Sequence, residues 1–157
     1  MSELSHIDQQ GRARMVDVSD KAVTVRTAAA RGTLTCRPET LELVLAGKAP
    51  KGAVIATAEL AGVMGAKRTA ELIPLCHPLP LTKIEVRIEA DADLPGFRID
   101  AEAQTKSETG VEMEALTAVA VAGLTLFDML KGVARAMVIG GIEVVSKTGG
   151  KSGSWAR

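Results

Sequence analysis

The sequence predicts an α+β fold: a ferredoxin-like βαββαβ antiparallel sheet with its helices packed on one face. Three observations predict it. Lys83-Ile-Glu-Val-Arg-Ile-Glu89 and Phe97-Arg-Ile-Asp-Ala-Glu-Ala103 each alternate apolar and polar residues, and Asp91-Ala-Asp-Leu-Pro-Gly96 supplies turn residues between them. That is a β-hairpin with one dry face. An alanine-rich helix precedes the hairpin, and a nearly charge-free helix follows it. With a strand at each end, the order is that of the split βαβ unit.

Taken in order, residues 1–15 are polar and read as a mobile arm. From Val16 to Cys36 the pattern is extended, with Val23 and Val25 alternating with Thr24 and Arg26. Pro38 and Gly47 bracket a short helix, proline near the start and glycine past the end. Residues 53–72 read as one longer helix, with Lys67 and Arg68 near its C-terminal end, where positive charge suits the dipole. After the hairpin, Thr109-Gly-Val-Glu112 fits a capping box at the start of the second long helix. Thirteen residues from Ala115 to Phe127 carry no charge. That is too short to span a bilayer, so the helix is expected to be buried on most sides, partly by another subunit. Met137-Val-Ile and Ile142-Glu-Val-Val form the last strand, and residues 147–157 read as a flexible glycine- and lysine-rich tail. One sheet face remains to be covered in this arrangement, which points to a homo-oligomer.

Composition narrows the function. The chain has 157 residues, enough for one domain over 1–157 with a real core. Nineteen bases balance nineteen acids, which argues against a general nucleic-acid or membrane binder. The distribution is less even than the total: nine acids lie between Glu85 and Glu114, and beyond Glu114 there are five bases and two acids. A locally basic tail suits an anionic small ligand. Aromatic residues are only 2%, which leaves no stacking platform for single-stranded nucleic acid. Cys36 and Cys76 are too few for a disulfide framework, and no cluster completes a metal site. The N-terminus lacks a signal-peptide apolar core, so a cytoplasmic, reduced protein is expected.

The segment Glu71-Leu-Ile-Pro-Leu-Cys-His-Pro-Leu-Pro-Leu81 is the most informative in the chain. Three of the six prolines fall here, at Pro74, Pro78 and Pro80. Each fixes its own φ and restricts its predecessor, so His77 is held with little backbone entropy left to lose. A rigid connector with an incidental histidine accounts for the segment about equally well. Asp128 and Lys131 lie three apart on one helix face. The carboxylate sits where the helix dipole disfavours it, and a lysine in an apolar setting can serve as an acid or base. A surface ion pair has the same spacing. Glu112 and Glu114 suit the first turn of a helix, and equally suit the N–H groups of a guanine edge. Gly149-Gly-Lys-Ser152 is not a P-loop, because Val145 stands where the motif needs glycine. Lys147 and Lys151, flanked by glycines, can still close over a phosphate.

Read together, Leu72-Ile-Pro-Leu-Cys-His-Pro-Leu79, Thr109-Gly-Val-Glu-Met-Glu-Ala-Leu-Thr117, Asp128-Met-Leu-Lys131 and Lys147-Thr-Gly-Gly-Lys-Ser-Gly153 closely resemble the cyclic pyranopterin monophosphate synthases, the MoaC family of molybdenum cofactor biosynthesis. Met15-Val-Asp-Val-Ser19 and Ala66-Lys-Arg-Thr69 match as well, so the resemblance covers nearly the whole chain. It implies a lyase that converts 3′,8-cyclo-7,8-dihydro-GTP to cyclic pyranopterin monophosphate and diphosphate. It implies catalytic roles for Asp128 and Lys131, and substrate contacts for Leu75, Cys76, His77, Met113 and Glu114, with Glu112 beside them. Arg26 and Lys51 are added to these contacts, and Lys51, Lys67, His77, Lys147 and Lys151 are candidates for positive charge around the triphosphate. It implies no required cofactor, although Mg²⁺ can ride in on the triphosphate. A homohexamer, a trimer of dimers with sites across a subunit interface, is also implied. The reading from another class is a non-catalytic ferredoxin-like module that binds a nucleotide phosphate and regulates by assembly.

Overall fold

The computed structural model describes residues 6–157; residues 1–5 of the expected arm lie outside the described residues. Residues 6–14 form a small hairpin where irregular chain was expected. Ile7 bridges Ala13, and the Asp8 carboxylate accepts from the amides of Gln10 and Arg12, both at 2.9 Å. Gly11 supplies the left-handed turn at φ 77°. The extended run expected from Val16 becomes a strand only at β1 (Thr24–Thr35). α1 (Pro38–Leu45) follows, with proline at its start.

The single helix expected over residues 53–72 is two, α2 (Val54–Ala66) and α3 (Thr69–Leu72). The buried Thr69 hydroxyl donates to the Ala66 carbonyl at 2.9 Å and so occupies an acceptor at the end of α2. β2 (Leu81–Asp91) and β3 (Gly96–Ser107) form the expected hairpin. α4 (Glu112–Leu130) begins later than the capping box predicts. Val111 is its N-cap and no side chain caps it. Glu112 does not reach back, because Lys147 holds its carboxylate at 2.6 Å. β4 (Val138–Thr148) pairs with a fifth strand, β5 (Trp155–Ala156).

The sheet runs β2-β3-β1-β4-β5, with all neighbours antiparallel. Its first four strands have the split-βαβ order, and β5 extends the β4 edge. β5 stands where a flexible tail was expected. The chain turns through left-handed Gly149, Gly150 and Gly153. It is then held by Arg157, whose amide donates to Val145 O and whose Nε donates to Val144 O, both at 2.9 Å. Near the other end of β4, Arg31 faces Glu143 while Thr33 faces Gly140, so one extra residue is inserted there. Gly141, at φ 61°, absorbs it as a bulge.

α2 and α4 cover one face. Leu34, Phe97 and Ile99 from the sheet meet Val119, Leu126 and Leu130 of α4, all almost fully buried. By length and composition α4 could cross a membrane. Ten of its residues are buried within the fold, among them Ala115, Ala118 and Ala122, which accounts for its apolar character. The opposite sheet face is less apolar than an uncovered face was expected to be. It carries a ladder of charges, with Lys83 paired to Glu102 at 3.0 Å and Arg31 to Glu143 at 2.7 Å. The exposed apolar side chains of the two long helices are instead Leu60, Met64, Met113 and Leu124.

Candidate active site: two clusters at opposite ends of one helix

α2 runs antiparallel to α4, and this decides which residues meet. Lys51, just before α2, reaches Asp128 near the end of α4. Cys76, after α3, reaches Glu114 in the first turn of α4. The candidate residues therefore fall into two groups.

The first group surrounds the start of α4. Leu75, Cys76, His77 and Met113 line a cleft of about 410 Å³, with Val16 and Val18 of the segment before β1 on its other side. Thr109, Gly110, Glu112 and Lys21 belong both to this cleft and to a larger one of about 910 Å³. The larger cleft is also lined by Arg26, Lys147 and Lys151. One side of the combined space is thus apolar with a few polar groups, and the other is cationic.

Each polar group here is placed by a long-range contact. His77 Nε2 lies 2.6 Å from the Val16 carbonyl. A carbonyl only accepts, so Nε2 carries a proton and donates it to Val16 O, which fixes the ring's orientation in the cleft. Arg26 donates from Nε to Ser107 O and from Nη2 to Glu108 O, each at 3.1 Å. A β-carbon at Gly150 would collide with that guanidinium, and one at Gly110 with the Glu112 carboxylate. These glycines let the two charged groups lie against the backbone. Burial raises the Glu112 pKa, but Lys147, the residue's own amide and Arg26 together outweigh it and hold the carboxyl below its ordinary value.

Glu114 behaves oppositely. It is only 3% exposed and its Oε2 has no hydrogen-bond partner among the described residues. Burial, with the nearby Glu112 charge, pushes its pKa up to about 7, although its own amide opposes the shift. Cys76 Sγ lies 4.0 Å from Oε1, and burial together with the Glu114 charge raises the thiol. Glu114 is therefore a buried carboxyl with a raised pKa, held against Cys76 behind the cleft wall.

The second group lies at the end of α4. Asp128 accepts from Lys131 through Oδ1 at 2.9 Å and from Lys51 through Oδ2 at 3.0 Å. Lys51 also donates to the Asp128 carbonyl at 3.1 Å. The Lys131 and Lys51 hydrogen bonds hold the Asp128 carboxyl below its ordinary pKa. A carboxylate bridging two ammonium groups is a compact set for moving protons.

Glu112 and Asp128 are sixteen positions apart on α4, about 24 Å at the helical rise. The two groups do not meet in one chain. Lys67, the C-cap residue of α2, lines neither cleft. Sequence reasoning passed over Lys21, Thr109 and Gly110. Lys21 sat inside what was read as the start of a strand, and its place three residues after Val18 carried no motif of its own.

Comparison with known proteins identifies the family. The model of the MoaC family matches residues 15–150. A cyclic pyranopterin monophosphate synthase of Thermomicrobium roseum is 59% identical over 157 residues, covering 100% of this chain and 95% of the relative. The synthase of a Nostoc species is 59% identical, covering 98% and 92%, and that of Dinoroseobacter shibae 60% identical, covering 98% and 97%. The chain belongs to the MoaC family.

Proposed function

We infer that this chain is a cyclic pyranopterin monophosphate synthase of molybdenum cofactor biosynthesis, acting on 3′,8-cyclo-7,8-dihydro-GTP. The relatives carry that name at about 60% identity over nearly their whole length. The observation that carries the reading physically is the continuity of the two clefts through Lys21, Thr109, Gly110 and Glu112. A nucleotide-derived ring fits the half-apolar cleft at Cys76 and His77, and its triphosphate fits the cationic one at Arg26, Lys147 and Lys151. Fixed positive charge there favours closure of the cyclic phosphate as diphosphate leaves.

Opening and rebuilding the purine-derived ring requires repeated proton transfers. His77 lines the ring position with Glu114 behind its wall, and Asp128 with Lys131 and Lys51 forms the catalytic acid–base set. Because those three lie at the far end of α4, the reading requires a second copy of the chain. In it, the end of α4 from one subunit faces the start of α4 from its partner. The exposed Leu60, Met64 and Leu124 supply apolar surface for such pairing, and a homohexamer built as a trimer of dimers accommodates it. No resident cofactor is assigned, and Mg²⁺ on the triphosphate is compatible with the wide cationic cleft. Two free thiols suit a reducing compartment such as the cytoplasm.

The test is to incubate the purified protein with 3′,8-cyclo-7,8-dihydro-GTP, following diphosphate release and oxidation of the product to a fluorescent pterin. Both signals are expected at a constant ratio. A folded oligomer that gives neither would overturn the reading in favour of a phosphate-binding regulatory module.

A further inference from the structure

We propose that the recess where α1 begins is an oxyanion site that takes a phosphate or diphosphate group, separate from the cationic cleft. The recess holds about 330 Å³ and is lined by Arg37 and Thr40, from the start of α1, and by residues 132–136, the turn after α4. Both Arg37 and Arg135 line it. Among the described residues neither guanidinium makes an ion pair or a side-chain hydrogen bond, although most other arginines do. Both arginines are exposed at the recess and free to turn into it, and a guanidinium offers an oxyanion planar, two-pronged donation.

The surroundings add neutral donors. Thr40 is 7% exposed and lines the recess, and its hydroxyl has no partner among the described residues. The amides of Val133 and Ala134 are satisfied by the Leu130 carbonyl, but those of Arg135 and Ala136 meet no backbone carbonyl among the described residues. Glu39, the acid in the first turn of α1, is exposed and does not line the recess. The recess therefore presents donors and positive charge with no acidic side chain among its lining residues. It also lies directly after Lys131 in the chain. Asp128, Lys131 and Lys51 do not line it, so the bearing of a bound anion on turnover rests on the functional reading above.

The same chemistry has two sources, the released diphosphate and the phosphate chain of the substrate. The probe is inorganic diphosphate, titrated by calorimetry into the assembled protein at constant ionic strength. Wild type is expected to show two classes of site. Arg37→Gln and Arg135→Gln each weaken one class about tenfold or more and leave the other, while Lys147→Gln does the reverse. Thr40→Val gives a smaller loss in the same class, and circular dichroism verifies that each variant is folded. Wild-type stoichiometry and affinity in both arginine variants would overturn the proposal. In turnover assays, weakened diphosphate inhibition at unchanged KM assigns the anion to product, and a raised KM assigns it to the substrate's phosphate chain. Calorimetry needs no turnover, so an inactive protein with two intact classes of site would sink the catalytic reading and leave this one standing.

Discussion

Lys131 and Asp128 sit three residues apart and about half exposed, which is the geometry of an ordinary helix ion pair. What distinguishes them is Lys51, which arrives from before α2 to claim the second carboxylate oxygen. An exposed ion pair contributes little to folding, so Lys131→Ala is expected to keep its fold and assembly. If Lys131 moves protons in the reaction, turnover falls by roughly 10²–10⁴. Diphosphate release by this variant at the wild-type rate would remove Lys131 from the mechanism. Glu114 makes a different prediction. Its folded-state pKa of about 7 lies above the ordinary glutamate value of 4.5, so the folded protein binds that proton more tightly than the unfolded chain. The stability this contributes is fully present below pH 4.5 and is lost as the pH rises through about 7. Glu114→Gln keeps the shape and removes the titration. Its unfolding free energy should therefore change less across that window, leaving the variant the more stable protein above it. Parallel urea-unfolding curves for the two proteins at every pH would contradict the assignment. The sequence made His77 legible through the prolines around it. It did not show that the Val16 carbonyl fixes the ring's orientation, because that bond joins residues 61 apart.

At the scale of elements, the hairpin of β2 and β3 was readable because strict alternation leaves one register that keeps the core face dry. α4 was readable from its uncharged run. Its capping was misread for a physical reason: Glu112 has a nearby amide that a capping box would use, but a lysine 35 positions later, on β4, competes for it and wins. Local pattern cannot see such a competitor. β5 escaped for the same reason, since Trp155 and Ala156 become a strand only because the β4 edge is there to receive them. The contact of α2 with α4 was also invisible, and it gives a testable point. A β-carbon at Gly62 would lie 2.9 Å from the Ala118 carbonyl oxygen and 3.1 Å from a Val86 methyl. Alanine gains about 1 kcal/mol of helix propensity there, but overpacking against backbone costs about 1–3 kcal/mol. Gly62→Ala is expected to lose about 1 kcal/mol in urea unfolding. A stabilised variant would mean that the two helices have room to separate.

For the whole molecule, the central claim is that the acid–base set at one end of α4 serves the substrate cleft at the start of α4 in a second chain. The sequence named members of both groups without showing that about 24 Å of helix keeps them apart. The most direct measurement is subunit complementation. Lys131→Ala and Lys147→Ala are each made inactive by a defect in a different group. They are then co-expressed, and mixed assemblies are isolated by two affinity tags. In a two-fold pairing each mixed dimer holds one doubly defective site and one intact site. Activity should therefore return to about half the wild-type value per mixed dimer. Verified mixed assemblies that remain as inactive as either parent would contradict the account and place the whole site within a single chain.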